Sequence, residues 1–355
     1  MNILFVCSAK TWGGNEKWTS MAMKALSSEH RIFFIGRNEQ LIKKFGSHEG
    51  HLCLPFSSYF DVVTYFKLKR FILKHNIDLA VSTKKREYFL CGLLSKKLKF
   101  KHLMRLGVTR KMNIPLWHRL NYYLLNDGLI VNARQIKTQL LKHPFFDPQK
   151  IHVIYNGLPG FDESSELPTK NENNSIFRIV SSGRLTVQKG FHLLIEAISL
   201  LPDSYRQQVQ LKIIGDGRNR SEFEQQVIDL NLSDKVSFTG FIDHPVEALK
   251  DADLFVLLSQ REGISNGVLE AMTQGLAVMT TNAGGITEIV SDGENGFMIN
   301  RSPEEVKNKI QFLIDHRELV NSAGANGFTT VKEKFGFTRF AKDTVQLINR
   351  FNPSK

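Results

Sequence analysis

The stretch Arg261-Glu262-Gly263-Ile264-Ser265-Asn266-Gly267-Val268-Leu269-Glu270 sets two carboxylates eight positions apart, with small turn-forming residues between them. The apolar run 253–259 precedes it. Strand, small-residue loop and helix, in that order, aim backbone N–H groups from a helix N-terminus, and such an arrangement receives anions. A phosphate would rest on Gly263, Ile264, Ser265 and Asn266. Glu262 would lie beside it, and Glu270 one to two turns into the helix. Two carboxylates so placed can take the hydroxyls of a nucleotide.

A second loop carries the opposite charge. Ser182-Gly183-Arg184-Leu185-Thr186-Val187-Gln188-Lys189-Gly190 follows an apolar run at 177–181 and spaces Arg184 and Lys189 five positions apart. Both can meet a diphosphate, Arg184 as a planar fork and Lys189 as a mobile point charge. After the first apolar run, 3–7, comes Gly13-Gly14-Asn15. Paired glycines let backbone approach a ligand closely. The loop is neither a dinucleotide fingerprint nor a Walker loop, since G-x-G-x-x-G and G-K-[ST] are both missing. Two weaker signals end further strands. Gly215, in Ile214-Gly215-Asp216-Gly217, could carry a flat ring on backbone; Ile242, in Thr239-Gly240-Phe241-Ile242, could line an apolar slot for a base. Asp251-Ala252-Asp253 is a D-x-D, but it precedes an apolar strand and so falls at the wrong end of a sheet for a ligand. No His/Cys/Asp cluster has metal-ligand spacing, so no metal is expected. His192 and His244 read as surface or helix-start residues.

These loops need elements to hold them. Strands are expected at 3–7, 32–35, 79–82, 102–106, 129–132 and 153–155, then at 177–181, 210–214, 236–238, 254–258, 277–280 and 297–299. Helices with apolar residues at three-to-four spacing fall at 61–75, 87–98, 115–126 and 134–143. Ser302-Pro303-Glu304-Glu305 is a capping box that opens a helix toward His316, and 337–351 is a further amphipathic helix. Such alternation implies α/β architecture, with parallel sheets flanked by helices and ligands at the carboxyl ends of the strands. At 355 residues the chain is long enough for two domains. A polar, proline-bearing stretch at 157–175 divides it, giving domains at 1–156 and 176–335 and a terminal helical segment at 336–355, with a cleft expected between the domains.

Charge is unevenly spread. Of the net +12, residues 1–150 hold 26 Lys+Arg against 9 Asp+Glu, or +17, and residues 151–355 hold 21 against 26, or −5. So large an asymmetry points to an anionic partner for the first half. Its basic runs include Lys67-Leu68-Lys69-Arg70, Lys84-Lys85-Arg86 and Arg110-Lys111. No nucleic-acid-binding motif accompanies them, so a nucleic-acid-binding protein is a minor alternative. Phe60, Tyr65, Phe66, Phe71 and Tyr88, close to these runs in sequence, suit a lipid headgroup surface. No run of about 18 apolar residues is present. The segment 1–8 reads as a buried strand rather than a signal peptide. Cys7, Cys53 and Cys91 suit a reducing cytoplasm.

Together these motifs resemble a known family. Glu262…Glu270 is similar to the E-x7-E pattern of retaining glycosyltransferases of the GT-B fold, family 4 (glycosyl transferases group 1), a fold of two doubly wound Rossmann-like domains. Ser182-Gly183-Arg184…Lys189-Gly190 resembles the donor-phosphate loop of that family. Tyr155-Asn156-Gly157 resembles the turn before its linker, and 280–290 with Asn295-Gly296-Phe297 the stretch closing its donor site. The resemblance implies an enzyme moving a sugar from a UDP-, GDP- or ADP-linked donor to a glycan or glycolipid acceptor, without a cofactor. It implies that Glu262 contacts the donor sugar and Glu270 the ribose. Gly13, Gly14, Gly183 and the 263–266 loop would contact phosphate or sugar, and Arg184 and Lys189 would offset charge on the departing diphosphate. Asn15, Lys84 and Arg105 fall on the acceptor side, Arg105 near a position where many members carry histidine. A helix crossing back onto the first domain is also implied, as is work in cell-surface polysaccharide synthesis at the inner face of a membrane. A GT-B sugar-nucleotide epimerase is the alternative.

Overall fold

Continuous apolar runs between amphipathic helices produce two parallel sheets, each inside its own compact unit. The computed structural model describes residues 1–108, 115–162, 164–169, 175–242 and 245–352; Arg110, Lys111, His244 and parts of the 157–175 stretch lie outside the described residues. Unit 1 is Met1–Pro159 with Phe337–Lys355, and unit 2 is Gly160–Gly336.

The sheet of unit 1 is built from β1 (Asn2–Cys7), β2 (Arg31–Gly36), β3 (Gly50–Cys53), β4 (Leu79–Ser82), β5 (Lys101–Leu106), β6 (Gly128–Val131) and β7 (Ile151–Val153). Their order is β3-β2-β1-β4-β5-β6-β7, and all pairings are parallel. Unit 2 contains β8 (Phe177–Ser182), β9 (Val209–Ile214), β10 (Val236–Gly240), β11 (Leu254–Leu257), β12 (Ala277–Thr281) and β13 (Phe297–Ile299), in the order β10-β9-β8-β11-β12-β13. Central strands such as β4, β6, β11 and β12 are buried along their whole length, because helices cover both faces of each sheet. The strand order reverses between β1 and β4 in unit 1, and between β8 and β11 in unit 2. At such switch points the loops beyond the carboxyl ends diverge and open a crevice.

Three elements differ from expectation. β3 was not expected: Gly50-His51-Leu52-Cys53 shows no alternation, and it is an edge strand held by β2 alone. β7 ends at Val153 rather than starting there, with Ile154 N–H giving one last bond to the Val131 carbonyl at 2.9 Å. The stretch 115–126 is a short α-helix, Pro115–Arg119, running into a π-turn, Leu120–Leu124, closed by Leu125 N–H on the Leu120 carbonyl.

The helix Phe337–Asn349 packs on the helix Gly14–Leu26 of unit 1, where Phe340, Leu347 and Ile348 share one buried cluster with Trp18 and Met21. Gly157 lies against the same helix, where a Cβ would stand 2.6 Å from that of Phe340. Two aromatics expected at the surface are not there. Phe71 is buried beneath its helix, and Tyr88 is 1% exposed with its hydroxyl on the carbonyls of Thr83 and Arg105. Phe60 and Phe66, by contrast, are exposed.

Candidate functional site

In unit 2 the loop after β8 and the loop after β11 meet at the switch point. The first turns through Gly183 into a 3-10 segment, Val187–Lys189, ahead of the helix Phe191–Ser199. Gly190, at φ 79°, lets this turn press onto the end of β11: an added Cβ would lie 2.3 Å from the Leu258 carbonyl oxygen. Gln260 N–H then donates to the Gln188 carbonyl at 2.9 Å, which ties the two loops together. The side chains follow. Lys189 Nζ pairs with Glu262 Oε1, and the same oxygen accepts from Ser259 Oγ at 2.7 Å. Both side chains are mostly covered, Lys189 at 23% and Glu262 at 11% exposure, so their attraction is screened less than that of a surface pair. Arg184 is exposed one turn away and, among the described residues, its guanidinium has no hydrogen-bond or ion-pair partner.

Beyond Glu262 the chain passes Gly263, buried Ile264 and buried Ser265 into the helix Asn266–Thr273, whose N-terminus receives no side-chain cap from Ser265. The uncapped end keeps the partial positive charge of a helix start facing the loop. Glu270 sits one turn in and is 8% exposed. From β12, Thr280 Oγ1 donates to the Leu257 carbonyl at 2.9 Å and Thr281 Oγ1 to the Ser259 carbonyl at 2.6 Å, so the strand end carrying Glu262 is fixed from the side. Gly215 follows β9 and donates its N–H to the Gly240 carbonyl at 2.8 Å; Ile242 lies past the end of β10, on the edge of the sheet.

Arg301 is a member of this constellation that sequence reasoning missed. Its Nε donates to the Leu258 carbonyl at 2.8 Å and its Nη2 to the Val187 carbonyl at 3.5 Å, so one guanidinium braces both loops from beneath. Partial burial lowers its pKa from the ordinary arginine value. The sequence signal was slight: an arginine just past β13, between a strand and a capped helix, reads as a solvated turn.

The switch point of unit 1 is also charged. Gly13 is extended, at φ −169°, and leads into the helix Gly14–Leu26. Glu16 on that helix is 2% exposed, and its Oε1 meets Lys84 Nζ, on the loop after β4, at 2.6 Å. Glu87 is fully buried and accepts N–H bonds from Ser8, from Thr83 at 2.8 Å and from Lys84 at 2.8 Å. Burial pushes its carboxyl up to about 7, against the pull of those hydrogen bonds. Burial, with Glu87 and Glu16 adding to it, likewise raises the Cys7 thiol, so this cysteine stays protonated. Arg105 is buried. It donates to Asn15 Oδ1 and, at 3.5 Å, to Asn156 Oδ1, with its guanidinium 5.1 Å from the Trp18 ring centre. The structure therefore gathers Asn15, Lys84 and Arg105 around one switch point. His102 is elsewhere in role. It is fully buried between Ser82 Oγ at 2.7 Å and the Leu125 carbonyl at 2.8 Å, and burial lowers its pKa to about 4. Asp253 spends its carboxylate on Arg178 N–H at the amino end of β11, 2.7 Å away, where strand entry accounts for it.

Residues 163–330 match the family described as Glycosyl transferases group 1. An uncharacterized glycosyltransferase of Methanocaldococcus jannaschii is 24% identical over 349 residues, spanning 91% of this chain and 87% of its own. A lipopolysaccharide core biosynthesis glycosyltransferase of Rhizobium meliloti is 32% identical over 171 residues, spanning 48% of this chain and 49% of its own. Among solved structures, Anabaena HepE in complex with UDP and glucose superposes with a TM-score of 0.84 at 21% identity, covering 99% of this chain and 100% of that one, and so shares the fold.

Proposed function

We propose that this chain, a glycosyltransferase of the GT-B fold, moves a sugar from a nucleoside diphosphate donor to a hydroxyl of a glycan or lipid-linked glycan and keeps the anomeric configuration. The observation that carries the reading is the Lys189–Glu262 pair at the β8/β11 switch point, beside an uncapped helix start. A diphosphate brought there exchanges one anion for another at Lys189. It finds Arg184 exposed on the same loop, and Glu262 is released toward the sugar hydroxyls. Glu270, deeper along the helix, takes the ribose. The acceptor oxygen bonds to the anomeric carbon on the face the diphosphate leaves, the carbon–phosphate oxygen bond breaks, and the departing phosphate takes the acceptor proton. The two cations meet the charge that builds on the leaving group, which is where preorganised electrostatics contribute most. In this reading side chains carry that task and no cofactor is invoked.

Unit 1, with Arg105, Asn15 and Lys84 gathered and with most of the positive charge, is the acceptor-binding unit. A lipopolysaccharide or other cell-surface polysaccharide acceptor fits the charge and the name of the Rhizobium meliloti relative. The chain then works in the cytoplasm at an anionic membrane surface; among the described residues no helix is long and apolar enough to cross a membrane. A thermal-shift panel of UDP, GDP, ADP and their sugar conjugates tests the donor assignment. One nucleotide series should raise Tm, and its sugar conjugate should release nucleoside diphosphate only when an acceptor is added. No shift with any nucleotide overturns the reading, and release without acceptor points to the epimerase chemistry instead.

A further inference from the structure

The helix Val62–Lys74 has an inner and an outer face of different chemistry. Leu68, Phe71 and Ile72 are buried against unit 1. Val62, Phe66 and Leu73 (i, i+4, i+11), 62%, 61% and 54% exposed, form a ridge on the outer face that is apolar except for the half-buried Lys69 at i+7. Beside it, Val63, Lys67, Arg70 and Lys74 (i, i+4, i+7, i+11) form a second exposed ridge that carries three cations. A contiguous exposed apolar strip flanked by cations along one helix is the pattern of elements that lie in a membrane interface.

The surroundings extend the pattern. Phe60, 72% exposed, stands just before the helix and leans on Phe89, with ring centres 5.5 Å apart, and on Trp117 at 6.4 Å. Leu116, next to Trp117, is 81% exposed. Against Lys67, Lys69, Arg70 and Lys74 the stretch 57–77 sets one carboxylate, Asp61. It caps the helix, accepting from Thr64 N–H at 2.9 Å, Thr64 Oγ1 at 2.8 Å and Ser57 N–H at 2.8 Å. Burial alone would raise its pKa, but these bonds hold it down at about 2.

We infer that this outer face, with Phe60 and Leu116, is the surface by which the protein lies on an anionic lipid bilayer. The apolar ridge enters the headgroup–acyl boundary, and Lys67, Arg70 and Lys74 meet lipid phosphates. The inference rests on the membrane location proposed above and assigns it to one helix. It also separates two sets of positive charge in unit 1: Lys84 and Arg105 at the switch point for the acceptor, and this ridge for the bilayer.

Flotation with vesicles of phosphatidylcholine alone and of phosphatidylcholine with phosphatidylglycerol tests it on the full chain. Wild type should float with the anionic vesicles only. Each basic residue near such a surface contributes a factor of about five. Reversing two of them, K67E/R70E, should therefore weaken partitioning by at least about thirtyfold. K97E/K101E makes the same charge change on another exposed basic run and should weaken it far less. Phe66→Trp should show fluorescence quenching by brominated lipid. If wild type floats and K67E/R70E floats equally, the helix assignment is overturned and the membrane location stands. If wild type does not float, both fail. Equal weakening by the two double variants, or an unquenched Phe66→Trp that sediments as a dimer without lipid, also overturns the assignment.

Discussion

The two switch points share a strand order and each holds a lysine–glutamate pair, but with the partners exchanged. In unit 2 the cation, Lys189, comes from the loop after the first strand of its switch, and the carboxylate, Glu262, from the loop after the other. In unit 1 the carboxylate, Glu16, comes from the helix after β1 and the cation, Lys84, from the loop after β4. Unit 1 then adds Glu87, which accepts the N–H groups of Ser8, Thr83 and Lys84. Amides that a phosphate could use are thus occupied by the protein's own carboxylate. In unit 2 the Ser265 side chain does not cap the start of Asn266–Thr273. One frame is closed by an internal carboxyl group, and the other presents a helix start to an external anion.

Single substitutions should separate the two. Lys189→Ala should lower kcat by about two to three orders of magnitude, the scale of losing one electrostatic contact in a transition state; near-wild-type turnover would remove Lys189 from the chemistry. Arg301→Ala should lower kcat by on the order of tenfold to a hundredfold, because the loops carrying Lys189 and Glu262 lose their common brace and small displacements are costly. Arg301→Lys, with one donor fork lost, should fall between, and an unchanged kcat in Arg301→Ala would show that the threonines of β12 suffice. Glu270→Ala should raise the donor KM more than it lowers kcat, and the reverse split would place Glu270 in the transition state. Lys84→Ala should lower stability besides raising the acceptor KM. It strands a buried carboxylate at about 1–3 kcal/mol, seen as a lower denaturation midpoint.

The smallest effect is one of pH. The folded-state pKa of Glu87 lies near 7, above the ordinary glutamate value of 4.5, so the folded chain holds this proton more tightly than the unfolded one. Stability from this group is present below about pH 4.5 and is lost as pH rises through 7. Glu87→Gln cannot ionise, so its Tm relative to wild type should climb by a few degrees between pH 5 and pH 7.5. His102 drifts the other way in both proteins: depressed to about 4, it loses stability as pH falls from 6.5, and it cancels in the comparison. A flat difference would mean the three amides hold Glu87 charged throughout.

Much of this frame was legible in the sequence because strand and loop signals are local. The apolar runs at 79–82 and 297–299 became β4 and β13 with the bounds expected, and each charged loop was read as following a strand. What stayed illegible depends on contacts between distant segments. Arg301 matters only because β13 brings it under carbonyls 43 and 114 positions away. Glu16 and Glu87 read as ordinary first-turn carboxylates until burial is known. Half of the expected capping box also formed otherwise. Ser302 Oγ accepts from Glu305 N–H at 3.5 Å, but the Glu305 carboxylate turns to Asn300 instead of reaching back.

The return of Phe337–Asn349 to the helix Gly14–Leu26 makes unit 2 an insertion within unit 1. A ribosome therefore releases all of unit 2 before it makes the segment that covers Trp18 and Met21. Unit 2 can fold while synthesis continues, whereas unit 1 waits with an apolar face uncovered, and in that interval the nascent chain depends on chaperones. Synonymous codon changes that slow translation between residues 160 and 336 should accordingly lower the soluble yield without altering the finished enzyme.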